Sequence, residues 1–277
     1  MPELPEVETV VRTLEKQLFQ DVITAVEVLY NRIIETDLNI FKSEIVGKQF
    51  NEFKRRGKYL HFIFSDNDEL YVHLRMEGKF YIATSLEQLD MKHIHIVFKL
   101  KSNRFLCYQD TRKFGRFYYV KAGGHLKEID KLGYEPFDSD LNGKIVYDLL
   151  QNYNSDLKSF LLDQTQICGI GNIYANEICY EVKKHPLTPT KRLKRKEADA
   201  LLDAIRSILS RAIAAGGTTI RSYTSSLNVT GLFQLQVNVH GKNNELCPTC
   251  NGVIVKEMIH QRGTYYCPKC QRRPRGI

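Results

Sequence analysis

In the first eighteen positions the apolar residues fall at Leu4, Val7, Val10, Val11, Leu14 and Leu18. That three-to-four spacing lines one face of a helix. Glu3, Glu6 and Glu8 crowd its start, where carboxylates suit the positive end of the helix dipole, and Arg12 and Lys16 come further on. The period then changes. Between about residues 22 and 120, the stretches 22–29, 59–64, 70–74, 93–100 and 105–108 are rich in β-branched and aromatic residues. Gly47, Gly57, Gly78, Gly115 and the run Ser65-Asp66-Asn67-Asp68 punctuate them, so they read as strands. Many short strands at close spacing predict a sandwich or barrel, with the first helix packed along it.

The stretch Gly133-Tyr134-Glu135-Pro136-Phe137-Asp138-Ser139-Asp140 breaks this pattern and marks a domain boundary. Helical periodicity comes next. Ser155 is placed to cap a helix through Leu157, Phe160 and Leu161. Gly169-Ile170-Gly171-Asn172 then leads into a second helix through Ala175, Ile178 and Cys179. A longer helix over about 196–215 turns Leu201, Leu202, Ile205 and Ile208 inward, and Gly216-Gly217 stops it. Residues 218–231 are rich in Ser, Thr and Asn without an apolar face, the character of a functional loop such as a lid. Two last strand-like stretches, 253–259 and 264–266, are joined by Gln261-Arg262-Gly263, which sets Arg262 at a hairpin tip. The expected class is therefore α+β: a helix and β-domain over 1–132, a linker at 133–140, a helical domain over 141–238, and a hairpin module over 239–277.

Composition narrows the function. The 277 residues are 43% hydrophobic and 26% charged, as in ordinary soluble proteins. No apolar run has membrane-spanning length, and the acidic start is not a secretory signal, so a cytoplasmic, non-membrane protein is expected. Forty Lys and Arg against 32 Asp and Glu give a net charge of +8, which favours a polyanionic partner. Of seven cysteines, four form the pairs Cys247-Pro-Thr-Cys250 and Cys267-Pro-Lys-Cys270, 16 residues apart. In a cytosolic chain that spacing fits a four-cysteine structural zinc site holding the hairpin, with no open coordination position for catalysis. From Lys242 onward seven Lys and Arg face two Glu, which suits phosphate contact. Cys107, Cys168 and Cys179 stand in apolar surroundings and read as buried thiols.

Several short motifs carry possible chemistry, each beside a plainer alternative. If Met1 is removed, Pro2 becomes a secondary amine titrating at roughly 8, partly uncharged at neutral pH and able to attack an electrophilic carbon. Glu3 beside it suits general acid–base work; the alternative is that Pro2 simply opens the helix. Lys54-Arg55-Arg56-Gly57-Lys58 is either a phosphate clamp or a solvated hairpin. His73 and Arg75 share one strand face opposite Leu74 and Met76, and Met76 by itself reads as core. In Asp110-Thr111-Arg112-Lys113-Phe114-Gly115, Phe114 among cations suits wedging into a duplex, or else is a core residue of a hairpin. Glycines ahead of the helix at Asn172 allow backbone amides to meet a phosphate.

Six motifs occur in order: Pro2-Glu-Leu-Pro-Glu-Val-Glu, Arg56-Gly-Lys-Tyr, His73-Leu-Arg-Met-Glu-Gly, Asp110-Thr-Arg-Lys-Phe-Gly, Gly169-Ile-Gly-Asn-Ile-Tyr and the four-cysteine hairpin. Over essentially its whole length the chain resembles the bacterial formamidopyrimidine-DNA (8-oxoguanine-DNA) glycosylases. The resemblance implies an N-terminal helix with a β-sandwich, a helix–two-turn–helix domain, and a zinc finger with one structural zinc per chain. It implies a glycosylase and abasic-site lyase acting on double-stranded DNA that carries oxidised purines or abasic sites. It also implies a monomer, working in the bacterial cytoplasm at the nucleoid. Pro2 would be the nucleophile, Glu3 its acid–base partner and Lys58 an assisting cation, with Glu6 lining the lesion pocket. His73, Lys158, Asn172 and Arg262 would bind DNA, and Met76, Arg112 and Phe114 would fill the void left by the extruded nucleotide. Residues 218–231 would cover that nucleotide. Arg75, Glu77, Thr111 and Lys113 depart from common family residues beside the void-filling trio, as does the His240-Gly-Lys-Asn run ahead of the finger. Two other readings stay open: the endonuclease VIII branch, which prefers oxidised pyrimidines, and a non-catalytic zinc-finger DNA-binding protein.

Overall fold

The first apolar stripe forms the helix it predicts. Helix α1 spans Leu4–Leu18, and Leu4, Val7, Val10, Val11, Leu14 and Leu18 are all buried. Pro2 lies outside it. Glu3 is the N-cap, in extended backbone, and Pro5 occupies the first turn, so the reading of Pro2 as the first helical residue is set aside. The computed structural model describes residues 1–217 and 236–275, so the expected covering loop at 218–231 falls outside the described residues. Two compact units result: Met1–Asp130 together with Gly216 and Gly217, and Lys131–Ala215 together with residues 236–275.

In the first unit α1 precedes β1 (Ile23–Val28), α2 (Leu38–Ile45), β2 (Phe50–Arg56), β3 (Tyr59–Phe64), β4 (Glu69–His73), β5 (Lys79–Ala83), β6 (Ile94–Leu100), β7 (Phe105–Gln109), β8 (Arg116–Val120) and the short α3 (Lys127–Asp130). Two four-stranded antiparallel sheets form, in the orders β1-β6-β7-β5 and β2-β3-β4-β8. Alternation decides which side chains turn inward. Leu60, Phe62 and Phe64 from β3, Val72 from β4 and Phe117 from β8 meet Phe80, Phe98, Leu106 and Tyr108 of the other sheet in one core with α1. Ring contacts cross between the sheets, with centroids 4.8 Å apart for Tyr108–Phe117 and 6.1 Å for Phe80–Phe117. The expected sandwich is present.

Within it, β2, β5 and β8 were not among the sequence-read strands, and α2 interrupts a region read wholly as strand. Local capping wins there. The Asp37 carboxylate accepts the N–H groups of Asn39 and Ile40, and Phe41 and Ile45, four apart, reach the core.

The second unit contains α4 (Gly143–Asn152), α5 (Leu157–Leu162), α6 (Asn172–Glu181), α7 (Arg195–Ala214), β9 (Val255–Ile259) and β10 (Arg262–Tyr266). Asp156, rather than Ser155, caps α5. Its carboxylate reaches the Ser159 N–H at 2.9 Å, while the shorter Ser155 hydroxyl bonds only to Asp156. Gly216 takes a positive φ of 74° just past α7, as a helix stop requires. Strands β9 and β10 pair through Ile259 and Arg262, so His260 and Gln261, both at positive φ, make the turn. Arg262 is therefore the first residue of β10 beside the tip, not the tip itself.

Burial of α1 sets the first prediction. Leu14 is fully buried, and Leu14→Ala is expected to destabilise the chain by about 2–5 kcal/mol. This reads out as a lower urea midpoint at an unchanged slope; a midpoint equal to wild type would show that α1 does not belong to the core.

Candidate active site and nucleic-acid interface

The start of the chain is held by backbone chemistry. A capping box joins Glu3 and Glu6, with the Glu6 carboxylate accepting the Glu3 N–H at 2.9 Å. Pro2, Glu3 and Glu6 are all buried. Gly217 has a φ of +78°, and a Cβ there would stand 2.8 Å from the nearer Glu6 oxygen. Glycine is thus needed where the chain re-enters this unit against Glu6, a role beyond the helix stop read from sequence.

Lys58 is brought to the same place by the hairpin of β2 and β3. Arg56 pairs with Tyr59, leaving Gly57, at a φ of 55°, and Lys58 as a two-residue turn. Arg55 pins this turn to α1: its Nε meets Glu8 at 3.1 Å and its guanidinium donates to the Gly57 carbonyl at 3.0 Å. The cluster forms a hairpin, but not a wholly solvated one, since Lys58 is buried. With Met1 in place, burial pulls the terminal amine below its ordinary pKa against the opposing fields of Glu3 and Glu6, and Lys58 lowers it further. Burial therefore favours the uncharged form of the Met1 amine.

His73 ends β4, buried, with its ring edge-on to Tyr59 at 4.6 Å. Its Nδ1 accepts the Arg75 N–H at 2.9 Å, which assigns the proton to Nε2. Desolvation, then the nearby Arg75 and Lys58 charges, push its pKa down to about 3, so it donates as a neutral imidazole. Met76, Arg112 and Phe114 come together at the surface. The Arg112 guanidinium reaches the Met76 sulfur at 2.8 Å and lies over the Phe114 ring at 4.7 Å, while Met76 and Phe114 remain 40% and 45% exposed. Neither apolar side chain is core.

In the second unit, Lys158 is buried and donates to the Thr264 hydroxyl. That makes it an internal link to the hairpin rather than a surface cation. Asn172, at the start of α6, donates to the Gly263 carbonyl at 3.0 Å, and Arg262, just ahead of these two anchor points, is exposed. Glu177 was missed by sequence reading. Its carboxylate accepts the N–H groups of Asn238, Val239 and His240 at 2.7, 3.0 and 2.8 Å, tying α6 to the chain that enters the finger. The available signal was a glutamate standing on the buried face of α6 beside Tyr174 and Ile178.

The four sulfurs of Cys247, Cys250, Cys267 and Cys270 lie within 4.8 Å of one another. Cys247–Cys270 and Cys250–Cys267 separations are 3.8 and 3.4 Å. Zinc–sulfur bonds of about 2.3 Å give tetrahedral edges of about 3.8 Å, so the cluster fits one structural zinc. The other thiols behave as buried groups; burial pushes Cys107 up to about 11 and Cys179 up to about 12.

Comparison with known proteins identifies the family. Residues 1–117 match the formamidopyrimidine-DNA glycosylase N-terminal domain. Residues 132–224 match the formamidopyrimidine-DNA glycosylase H2TH domain, and 244–273 match the zinc finger found in FPG and IleRS. A formamidopyrimidine-DNA glycosylase of Ligilactobacillus salivarius is 41% identical over 276 residues, covering 98% of this chain and 99% of its own length. That of Enterococcus faecalis is 42% identical, covering 98% of each. Among solved structures, the Lactococcus lactis Fpg in complex with abasic-site DNA superposes with a TM-score of 0.92 at 39% identity, covering 98% of this chain and 100% of that one. The same protein bound to DNA containing N7-benzyl-Fapy-dG gives the same TM-score, identity and coverage.

The geometry makes two further outcomes measurable. His73 takes up its proton at about pH 3 when folded and at about 6.5 when unfolded, so the unfolded chain binds that proton first on acidification. Its contribution to stability is therefore lost as pH falls from about 6.5 towards 3, and His73→Asn should show a shallower loss of urea midpoint over that range. An identical slope would contradict a neutral buried His73. Separately, Cys250→Ser should abolish stoichiometric zinc and weaken duplex binding, with elemental analysis and titration as the readouts. Normal zinc content with normal binding would undo the structural role given to the finger.

Proposed function

The chain belongs to the formamidopyrimidine-DNA glycosylase family, and from that premise we propose that it excises oxidised purines, 8-oxoguanine and formamidopyrimidines, from duplex DNA and then cleaves the abasic strand. The observation that carries this reading is the buried chain start, where Pro2, Glu3, Glu6 and Lys58 are all buried and the charges of both glutamates and of Lys58 act on the terminal amine.

Once Met1 is removed, the Pro2 nitrogen carries a lone pair. It attacks C1′ of the damaged nucleotide, the C1′–N bond breaks, and its electron pair leaves with the base, which takes up a proton. Once the proline nitrogen has lost its proton, ring opening moves the C1′–O4′ pair onto O4′, which is protonated, and leaves an iminium between C1′ and the proline nitrogen. That cation is the electron sink for both eliminations. Loss of a C2′ proton expels the 3′ phosphate by β-elimination. Loss of a further proton along the conjugated chain then expels the 5′ phosphate by δ-elimination, and water releases the sugar remnant from Pro2. Glu3 is assigned the proton transfers, in reach of a nitrogen one residue away. Glu6 lines the pocket from its capping position, and Lys58 supplies positive charge to a phosphate beside the reacting sugar. The low dielectric around these groups strengthens each interaction.

Binding is assigned to His73 as a neutral Nε2–H donor to phosphate, and to Asn172 and Arg262 at the helix start and hairpin. Lys158 supports that hairpin from beneath. Met76, Arg112 and Phe114 fill the space vacated by the extruded nucleotide, offsetting the few kcal/mol that unstacking costs. The structural zinc, held by the four cysteines, fixes the finger that presents Arg262. Duplex DNA is the partner, and a single chain suffices. No helix among the described residues is long and apolar enough to cross a membrane, which suits action at the nucleoid.

Borohydride trapping tests the reading. Protein whose intact mass shows loss of Met1 should form a covalent adduct with an 8-oxoguanine:C duplex, while protein carrying any residue ahead of Pro2 should form none. No adduct after confirmed Met1 removal would leave a DNA-binding protein without this chemistry.

A further inference from the structure

The two segments that carry the void-filling trio are equivalent pieces of the sandwich. Residues 74–78 cross from β4 in one sheet to β5 in the other, and residues 110–115 cross back from β7 to β8. Because His73 pairs with Arg116 and Lys79 with Gln109, the two crossovers leave the sandwich at the same end, side by side. Each presents its exposed apolar residue directly after a non-glycine residue at positive φ: Arg75 at 54° before Met76, and Lys113 at 58° before Phe114. Such residues persist only where surrounding structure over-determines them.

What determines them lies beneath. Asp110 is fully buried, and its carboxylate accepts four bonds: from the Arg112 N–H at 3.0 Å on one oxygen, and from the Phe114 N–H at 2.9 Å, the Gly115 N–H at 2.8 Å and the Tyr108 hydroxyl at 3.3 Å on the other. The Asp110 carbonyl accepts the Lys113 N–H at 3.2 Å and meets the His95 ring at 2.7 Å. The Tyr108 hydroxyl reaches the first crossover as well. A Cβ on Gly115 would stand 1.7 Å from it and one on Gly78 2.2 Å, so glycine at both motif ends is what allows the oxygen between them. At the surface, the Thr111 hydroxyl donates to Glu77 and joins the two crossovers a second time.

We propose that Asp110 and Tyr108 are positioning residues for lesion extrusion: the buried carboxylate–phenol pair holds both crossovers so that Met76, Arg112 and Phe114 are set for the duplex before DNA arrives. The proposal rests on the void-filling role assigned to the trio. Its physical basis is preorganisation, since a wedge ordered only on binding would spend binding energy on its own ordering. A misplacement of about 1 Å in such a group can cost about 10²-fold in rate. Asp110→Asn replaces one acceptor oxygen with a donor, so an N–H of Arg112, or those of Phe114 and Gly115, loses its partner. Tyr108→Phe removes one bond and leaves the other three.

The test compares two substrates. Single-turnover excision from an 8-oxoguanine:C duplex should fall by about 10- to 100-fold in Asp110→Asn and by less in Tyr108→Phe. Borohydride trapping on a single-stranded abasic oligonucleotide, which has no void to fill, should stay within about twofold of wild type. Phe114→Ala is the control for the underlying role. If it excises from the duplex at the wild-type rate, the void-filling reading fails; if it is slow while Asp110→Asn and Tyr108→Phe are not, the positioning role fails. Loss of trapping in step with loss of excision would show general damage and overturn the proposal for that variant. Wild-type protein gives a readout independent of folding variants: the Phe114 and Gly115 amides should be protected from hydrogen exchange without DNA, and free exchange at both would refute preorganisation.

Discussion

The nucleophile proposed at Pro2 depends for its position on the next element along the chain. Here that is α1. The stripe from Leu4 to Leu18 is buried in the sandwich core, which fixes the helix, and the Glu3–Glu6 capping box fixes the backbone where the helix begins. Burial of these apolar side chains supplies the free energy, at roughly 25 cal/mol per Å²; the capping box supplies the direction. The Arg55–Glu8 contact then ties the hairpin of Lys58 to the same helix, so the amine and its neighbouring cation share one frame. Weakening α1 would blur the terminus and its surroundings together.

The second unit solves a related problem with side-chain-to-backbone bonds. A hairpin of two five-residue strands has little core of its own. The zinc cluster holds one end, and α6 holds its flanks through Asn172 to Gly263 and Glu177 to residues 238–240. Lys158 adds a buried link to Thr264. Arg262 is exposed on an element fixed at several points, which lowers the entropy that the phosphate contact proposed for it would cost.

Features that repeat were legible in the sequence. The α1 stripe, the sandwich class, α6, α7 and the cysteine pairs each rest on a period or spacing that physical chemistry constrains tightly. The six ordered motifs carried the family, which the domain matches bear out. What escaped was decided by single contacts. Strand β2 reads Phe-Asn-Glu-Phe-Lys-Arg-Arg because one face is solvated, so its apolar content is too low to announce a strand. Helix α2 depends on Asp37, and the start of α5 on the longer reach of Asp156 compared with Ser155. Buried carboxylates that accept backbone N–H groups, Asp110 and Glu177, leave no periodic trace, because their partners are set by loop geometry rather than residue type.

The departures from family habit sharpen the same distinction. Arg75, Glu77, Thr111 and Lys113 depart from common family residues beside the trio, where the sequence alone leaves the opposite-base preference open. In the fold none of them displaces Met76, Arg112 or Phe114. Glu77 and Thr111 bond to each other across the two crossovers, and the Lys113 ammonium lies over the Tyr30 ring at 4.7 Å, so each has a local partner. Arg75 and Lys113 hold positive φ, a cost of about 1–2 kcal/mol per non-glycine residue. That cost is sustained because the backbone on either side is already committed, at His73 in one crossover and at Asp110 in the other. Residue type at the shoulders is thus free to vary while the buried acceptors keep the path of the chain. The surface beside Met76, Arg112 and Phe114 can therefore change without moving those three residues.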